Sequence, residues 1–245
     1  MCDHHDRTVI TPFQVPLPSP LTPVQILRRA NRFVVEVVTD DGLKLHLHLP
    51  NSGRMSELLA SGAQGLARLH GLPSRRTAGT LLLVRHEGRW VSVDAHLPNR
   101  LFVRGLASGA LAPFRDFTRW RSEFVVDGAR LDFLLEDSEG AHCFVETKSC
   151  NLVEHGVALF PDAPTARGTR HLEVLTSAVQ RGIRAAVVWF VQRDDASLLR
   201  PNIGSDPAFA AALRTAVANG VEAYAYRCQV TPEAVTALET IPVIP

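Results

Sequence analysis

The sequence predicts an α/β protein, α+β overall, made of a small β-barrel followed by a mixed-sheet domain. Three observations lead to that prediction. Leu43, Leu45, Leu47 and Leu49 alternate with Lys44, His46 and His48, the period-two pattern of a strand with one apolar and one polar face. Further short runs, Arg32 to Thr39, Thr80 to Arg85 and Trp90 to Asp94, follow with turn residues between them. That spacing suits a small barrel, of which an OB-like barrel is one option. Beyond residue 109 the pattern changes. The apolar strand Ala185 to Val191 lies between amphipathic segments at 163–181 and 206–218, as in a sheet covered by helices.

Taken in chain order, residues 1–20 read as a flexible tail, because the prolines of Val15-Pro16-Leu17-Pro18-Ser19-Pro20 lack the N–H that a helix or a central strand needs. The barrel is expected over 21–88, with turns at Asp40-Asp41-Gly42 and Glu87-Gly88. The second domain, 89–245, opens with a helix from Leu97 to Ser108 that should lean on the mixed sheet. Three strands follow, Trp120 to Val126, Arg130 to Leu135 and His142 to Ser149, joined at Asp127-Gly128 and Asp137 to Gly140. The helix over 163–181 aligns Leu172, Leu175 and Val179 on one stripe and stops at Gly182. Asp206 is the expected N-cap of the next helix, which runs to Ala218, and Val221 to Arg227 is the last strand. The order β-β-β-α-β-α-β implies a mixed sheet.

Composition narrows the function. The chain has 245 residues, 46% hydrophobic and 21% charged, with a net charge of +1, so any nucleic-acid surface must be a local patch. The four cysteines form no CxxC pair, which argues against a zinc site or a disulfide framework. The N-terminus lacks an apolar signal core and no apolar run is long enough to span a membrane, so the expected location is the cytoplasm. His4-His5 and the pair His46 and His48 lack a third ligand nearby and read as solvated histidines.

The chemistry centres on Phe144-Val145-Glu146-Thr147-Lys148. On a strand, Glu146 and Lys148 share one face. A hairpin would bring Asp132, in Arg130-Leu131-Asp132-Phe133, alongside them. Two carboxylates suit Mg²⁺ or Mn²⁺, and a lysine can orient or help deprotonate water, which together fit phosphodiester hydrolysis. Lys44 and Lys148 are the only lysines in an arginine-rich chain, and arginine would serve poorly as a base. Adjacent carboxylates repel, so without metal one of them is expected to hold its proton more tightly. Downstream, Arg167, Arg170 and His171 lie near a helix start, where phosphate is favoured. Gln192 could reach the same cleft. The other arginines expected on nucleic acid are Arg29, Arg32, Arg54, Arg75, Arg76 and Arg100.

An ordered series of motifs resembles the sugar fermentation stimulation protein A family over roughly Leu27 to Pro245. It comprises Arg29-x-x-Arg32-Phe33, Pro50-Asn51-Ser52-Gly53-Arg54-Met55, His96-Leu97-Pro98-Asn99-Arg100-Leu101, Arg130-Leu131-Asp132-Phe133-Leu134 and Glu146-Thr147-Lys148-Ser149. Phe160-Pro161-Asp162-Ala163, Thr165-x-Arg167-Gly168, His171-Leu172 and Gly220-Val221-Glu222 with Ala225-Tyr226 complete it. The resemblance implies an N-terminal OB-type domain, then a domain similar to the PD-(D/E)xK nuclease fold whose triad falls on Asp132, Glu146 and Lys148. It also implies DNA binding without strong sequence preference, and an association with sugar-metabolism gene regulation. Thr147 stands where a branched apolar residue is usual, Pro164 replaces an apolar residue before Thr165, and Ala78-Gly79 lacks an aromatic. Two functions compete: a metal-dependent nuclease, and a non-catalytic DNA-binding regulator on the same fold. Carboxylates facing DNA favour the first, because they repel phosphate unless a cation intervenes. The assembly state, including a homodimer, is left open.

Overall fold

The computed structural model describes residues 9–70 and 76–245. His4-His5, Cys2 and Arg75 lie outside the described residues.

The first strand overturns part of the expected tail. β1 (Val9–Pro16) pairs antiparallel with the last strand of the chain. Phe13, Val15 and Leu17 alternate inward and are buried. Proline is tolerated because β1 is a sheet edge, where one row of N–H groups needs no partner. Pro12 falls within the register irregularity between Val9 and Phe13.

The barrel follows. β2 (Thr22–Asn31), β3 (Val34–Thr39), β4 (Lys44–His48), β5 (Gln64–Leu69), β6 (Gly79–His86) and β7 (Arg89–Ser92) form one sheet in the order β4-β3-β2-β5-β6-β7. A parallel β4–β6 pairing closes it. That closure squeezes β6 at Gly79, where a Cβ would lie 2.4 Å from the Arg68 carbonyl oxygen, so only glycine fits. The topology is that of an OB barrel. Its end is later than expected: β7 pairs with β6, so Gly88 is the tip of a hairpin within the barrel sheet and not its boundary.

α1 (Leu97–Ala107) then crosses to the second domain. Its Leu97, Leu101 and Phe102 join barrel residues Leu66, Leu82 and Leu83 in a core with Phe133, Val145 and Phe190 of the large sheet. That sheet has the order β1-β16-β15-β13-β10-β9-β8, from β8 (Phe117–Val126), β9 (Ala129–Asp137), β10 (His142–Cys150), β13 (Arg184–Val191), β15 (Glu222–Val230) and β16 (Ala234–Ile241). β10, β13 and β15 run parallel at its centre, and the outer pairs are antiparallel. α2 (Ala166–Gln180) and α3 (Pro207–Ala218) cover the opposite face. Asp206 caps α3 as expected, accepting the Phe209 N–H at 2.9 Å. β11 (Val153–Glu154), β12 (Val157–Phe160) and β14 (Leu198–Pro201) make a small separate sheet. Among the described residues, no helix is long and apolar enough to cross a membrane.

Polar contacts tie the barrel to the large sheet. Arg193, 2% exposed, reaches Glu87 of the β6–β7 turn at 2.8 Å. Arg89 donates to Asp194 at 2.8 Å, and Asn151 donates to the Ser92 carbonyl at 2.6 Å. The N-terminal strand is tied down by packing. The Phe13 ring meets Phe190 and Tyr226 edge-on, each at 6.4 Å between centroids. Phe13→Ala should therefore cost about 3 kcal/mol of unfolding free energy. A urea melt with an unchanged midpoint would return this segment to a loose tail.

Candidate functional site

β9 and β10 pair from His142 opposite Glu136 to Val145 opposite Phe133, and then part. The same register carried one step further places Glu146 opposite Asp132. There the side chains, not the ladder, take the backbone donors. The Asp132 N–H donates to Glu146 Oε2 at 3.3 Å, and the Thr147 N–H donates to Asp132 Oδ2 at 2.9 Å. β10 continues against β13 alone, as far as Cys150 opposite Val191. The split opens onto a groove of about 770 Å³ between barrel and sheet, with Asp132, Glu146 and Lys148 among its lining.

Each carboxylate has its own support. Asn99, in the first turn of α1, donates from Nδ2 to Asp132 Oδ1 at 3.1 Å. The Thr147 hydroxyl lies 2.7 Å from Asn99 Oδ1 and 2.9 Å from Asp132 Oδ2. Thr147 is buried. Its hydroxyl, which an apolar residue would lack, has one proton to share between Asn99 Oδ1 and Asp132 Oδ2. On the other side, Lys148 Nζ donates to Glu146 Oε1 at 2.6 Å, and the buried His171 Nδ1 meets the same oxygen. The Arg167 Nε–H donates to His171 Nε2 at 3.3 Å. That nitrogen must then be the acceptor, so Nδ1 carries the ring proton and donates to Glu146.

Counting lone pairs shows what remains for a ligand. A carboxylate offers about four acceptor positions. Asp132 Oδ2 takes the Thr147 N–H and at most the shared Thr147 hydroxyl proton, and Oδ1 takes one donor; Glu146 Oε1 takes two and Oε2 one. At least one position stays open on each residue. Among the described residues no cluster of three or more His, Cys, Asp or Glu side chains could hold a metal, so an ion here would have two protein carboxylates at most. That fits a cation that keeps water or phosphate in its shell, as Mg²⁺ does.

The expectation that repulsion would leave one carboxyl holding its proton does not hold for Glu146. Burial does oppose its charged form, but the Lys148 charge and the His171 contact outweigh that, and its pKa is held below the usual range.

The expected nucleic-acid residues divide. Arg32 and Arg167 line the groove and are exposed. Arg130, not among the arginines expected on nucleic acid, lines it too. Arg54 and Arg76 are exposed outside that lining. Arg100 pairs with Asp94 at 2.5 Å. Arg170 is turned to the Asp127 carbonyl and Glu173. His171 is 3% exposed and serves Glu146, so it is not a surface phosphate contact. Gln192 is fully buried, bonded to the Phe190 carbonyl, and does not reach the groove.

Arg29 is spent on the barrel. Its guanidinium donates to the carbonyls of Gly53, Arg54 and Arg32, each at 2.7 Å, and to Asn31 at 3.2 Å. From the other side, Asp162 accepts the Met55 N–H at 2.9 Å. A Cβ on Gly53 would lie 2.7 Å from Asp162 Oδ2, which explains the glycine. The 51–55 loop is thus clamped between barrel and sheet domain and forms a fixed wall of the groove.

Comparison with known proteins agrees with this architecture. Residues 27–93 match the family described as SfsA N-terminal OB domain, and residues 96–234 the sugar fermentation stimulation protein RE domain. The sugar fermentation stimulation protein homolog of Moorella thermoacetica is 45% identical over 228 residues, covering 93% of this chain and 98% of that one. The chain belongs to the sugar fermentation stimulation protein family. The homolog of Acetivibrio thermocellus is 45% identical over 214 residues, 87% of this chain and 91% of its own. The structure of Pyrococcus furiosus SfsA in complex with Ca²⁺ superposes with a TM-score of 0.85 at 30% identity, covering 93% of this chain and 97% of that one. The two family matches meet between residues 93 and 96, in the linker between β7 and α1.

Asn99 and Thr147 are site residues that strand alternation does not reveal. Both stand in motifs of the family series, but their convergence on Asp132 depends on where α1 docks.

The Glu146 environment makes a prediction about pH. A carboxyl with a depressed folded pKa contributes stability that is present above its unfolded value, about 4.3, and is lost as pH falls through the folded value. Lys148→Met removes the main counter-charge, leaves the His171 contact as the chief opposition to burial and should cost about 3 kcal/mol at pH 7. The gap between wild type and Lys148→Met, followed by urea melts in chelator, should narrow from pH 7 to pH 4. A gap independent of pH would mean that Glu146 is not held charged by Lys148.

Proposed function

We propose that this protein is a divalent-metal-dependent phosphodiesterase of the nuclease type, acting on DNA held between the barrel and the large sheet. The observation that carries the reading is the pairing of Asp132 and Glu146 at the groove, each keeping one acceptor position open. Asp132 and Glu146 would hold Mg²⁺ or Mn²⁺. When bound, such an ion offsets charge developing on phosphate and makes water more acidic. The rest of the work falls to the chain's own groups. Asn99 and Thr147 keep Asp132 aimed, and His171 and Lys148 keep Glu146 ionised and oriented. Lys148 has three N–H donors and uses one on Glu146, so the others can orient the attacking water or a phosphate oxygen. The Ca²⁺ in the Pyrococcus furiosus relative supports the reading, since Ca²⁺ also prefers oxygen ligands. Cys143, Cys150 and Cys228 are buried and free, which suits a reducing cytoplasm.

Binding would rest on Arg32, Arg130 and Arg167, because they line the groove while Arg29, Arg100 and Arg170 are engaged elsewhere. Phosphate contacts carry little sequence information, so binding should be weakly sequence-specific.

Thermal melts test the metal site. At about 100 times its Kd, Mg²⁺ or Mn²⁺ should stabilise wild type by about 2.7 kcal/mol, and Asp132→Ala should lose that shift. In a plasmid and oligonucleotide cleavage assay, Asn99→Ala should cut more slowly than wild type and Lys148→Ala should not cut. Wild type with neither a metal-dependent shift nor cleavage would leave the non-catalytic binding reading in its place.

Salt dependence tests the groove. Arg32→Ala, Arg130→Ala or Arg167→Ala should each lower the slope of log affinity against log salt, by about 0.9 on a duplex and about 0.7 on a single strand, and Arg100→Ala or Arg170→Ala should leave it unchanged. Equal effects from all five would place the DNA elsewhere.

A further inference from the structure

The turn between β2 and β3 has an unusual composition for a hairpin tip. Such turns favour Gly, Asn or Asp, and apolar aromatics are out of place there. Here the two turn residues are Arg32 and Phe33. Phe33 is 46% exposed and lines the groove. The Arg32 guanidinium lies over its ring, 5.5 Å from the centroid. The tip is also held in place. Asn31 Oδ1 accepts the Phe33 N–H at 2.9 Å, and Arg29 donates to the carbonyls of Asn31 and Arg32 at 3.2 and 2.7 Å. An apolar ring in a fixed turn, facing a polar groove with no packing role in any of the cores, breaks a local sequence rule where a functional constraint is expected to break it.

The groove is also small. At about 770 Å³ it lies in the range, roughly 300–1,000 Å³, that encloses a drug-sized molecule. That is room within the groove for one or two nucleotides, and a larger nucleic acid would lie across its mouth. Proteins that grip unpaired strands combine cationic groups for the backbone with aromatic faces for the bases. Arg32, Arg130 and Arg167 with Phe33 are that combination in one groove.

We propose that the Arg32–Phe33 tip is a base-stacking platform, and that the nucleic acid entering the groove is an unpaired strand. An intact duplex would reach Asp132 and Glu146 only where its ends fray or its bases are extruded. This rests on the nuclease reading only for what the groove holds, since stacking needs no metal.

The test uses the full chain in chelator with a fluorescent 12-nucleotide single-stranded DNA, the same sequence as a blunt duplex, and a single strand carrying one 2-aminopurine. Wild type should bind the single strand more tightly than the duplex and change the 2-aminopurine emission. Phe33→Ala should weaken single-strand binding about tenfold, abolish the emission change and leave the melting temperature unaltered. Phe33→Trp should restore both readouts, and duplex binding should be the same in all three proteins. Unchanged single-strand affinity and emission in Phe33→Ala, or a duplex bound as tightly as the single strand, would overturn the platform alone and leave metal-dependent cleavage standing. Wild type that bound neither form would overturn the platform and the DNA reading together.

Discussion

Two negative charges are held side by side where neighbouring strands of a sheet separate, and most of the local structure answers that constraint. Asp132 and Glu146 sit opposite one another in the β9–β10 register, with Glu146 almost wholly buried. Unopposed, both repulsion and burial would favour the protonated forms. The surroundings are therefore rich in donors. Asp132 takes a backbone N–H, a shared hydroxyl and an amide, while Glu146 takes an ammonium, an imidazole N–H and a backbone N–H. Those donors come from α1, from α2 and from the two strands themselves. The docking of helices on both faces of the sheet is thus tied to the carboxylates in the gap between its strands.

The division of labour between the two faces follows from strand alternation. Odd-numbered Phe133 and Val145 pack toward α1 and the barrel, and Thr147 finds Asn99 on that side. Even-numbered Phe144 packs toward α2 and α3, and Glu146 finds His171 there. His171 is in turn fixed by Arg167 one turn earlier, and Arg167 lines the groove. One helix thereby supplies both the support of a carboxylate and a cation at the groove.

The barrel contributes rigidity as well as surface. Arg29 and Asp162 grip the 51–55 loop from opposite sides, and Arg193 bridges to Glu87 between the domains. A guanidinium suits such a clamp because its donors are planar and always charged. The same Arg29 steadies the Arg32–Phe33 tip, so one side chain shapes two parts of the groove rim.

Period-two and helical patterning were legible because they reflect which face each side chain must bury. They placed α1, α2, α3, the central strands and the Asp132, Glu146 and Lys148 trio close to where they lie. β1 was not legible, because its prolines argue against a strand unless it is known to lie at an edge, and an edge is defined by the partner strand β16 more than 200 residues away. The arginines were not separable either. Arg29 and Arg32 stand three residues apart with the same side chain, yet one satisfies four backbone carbonyls and the other lines the groove. Sequence by itself determined the two-part α/β fold and the residue types able to bind a hard cation, because hydrophobic period and side-chain chemistry are local properties. Tertiary structure alone decided that Asn99, Thr147 and His171 support the carboxylates and which arginines line the groove, because hydrogen bonds and exposure depend on groups distant in the chain.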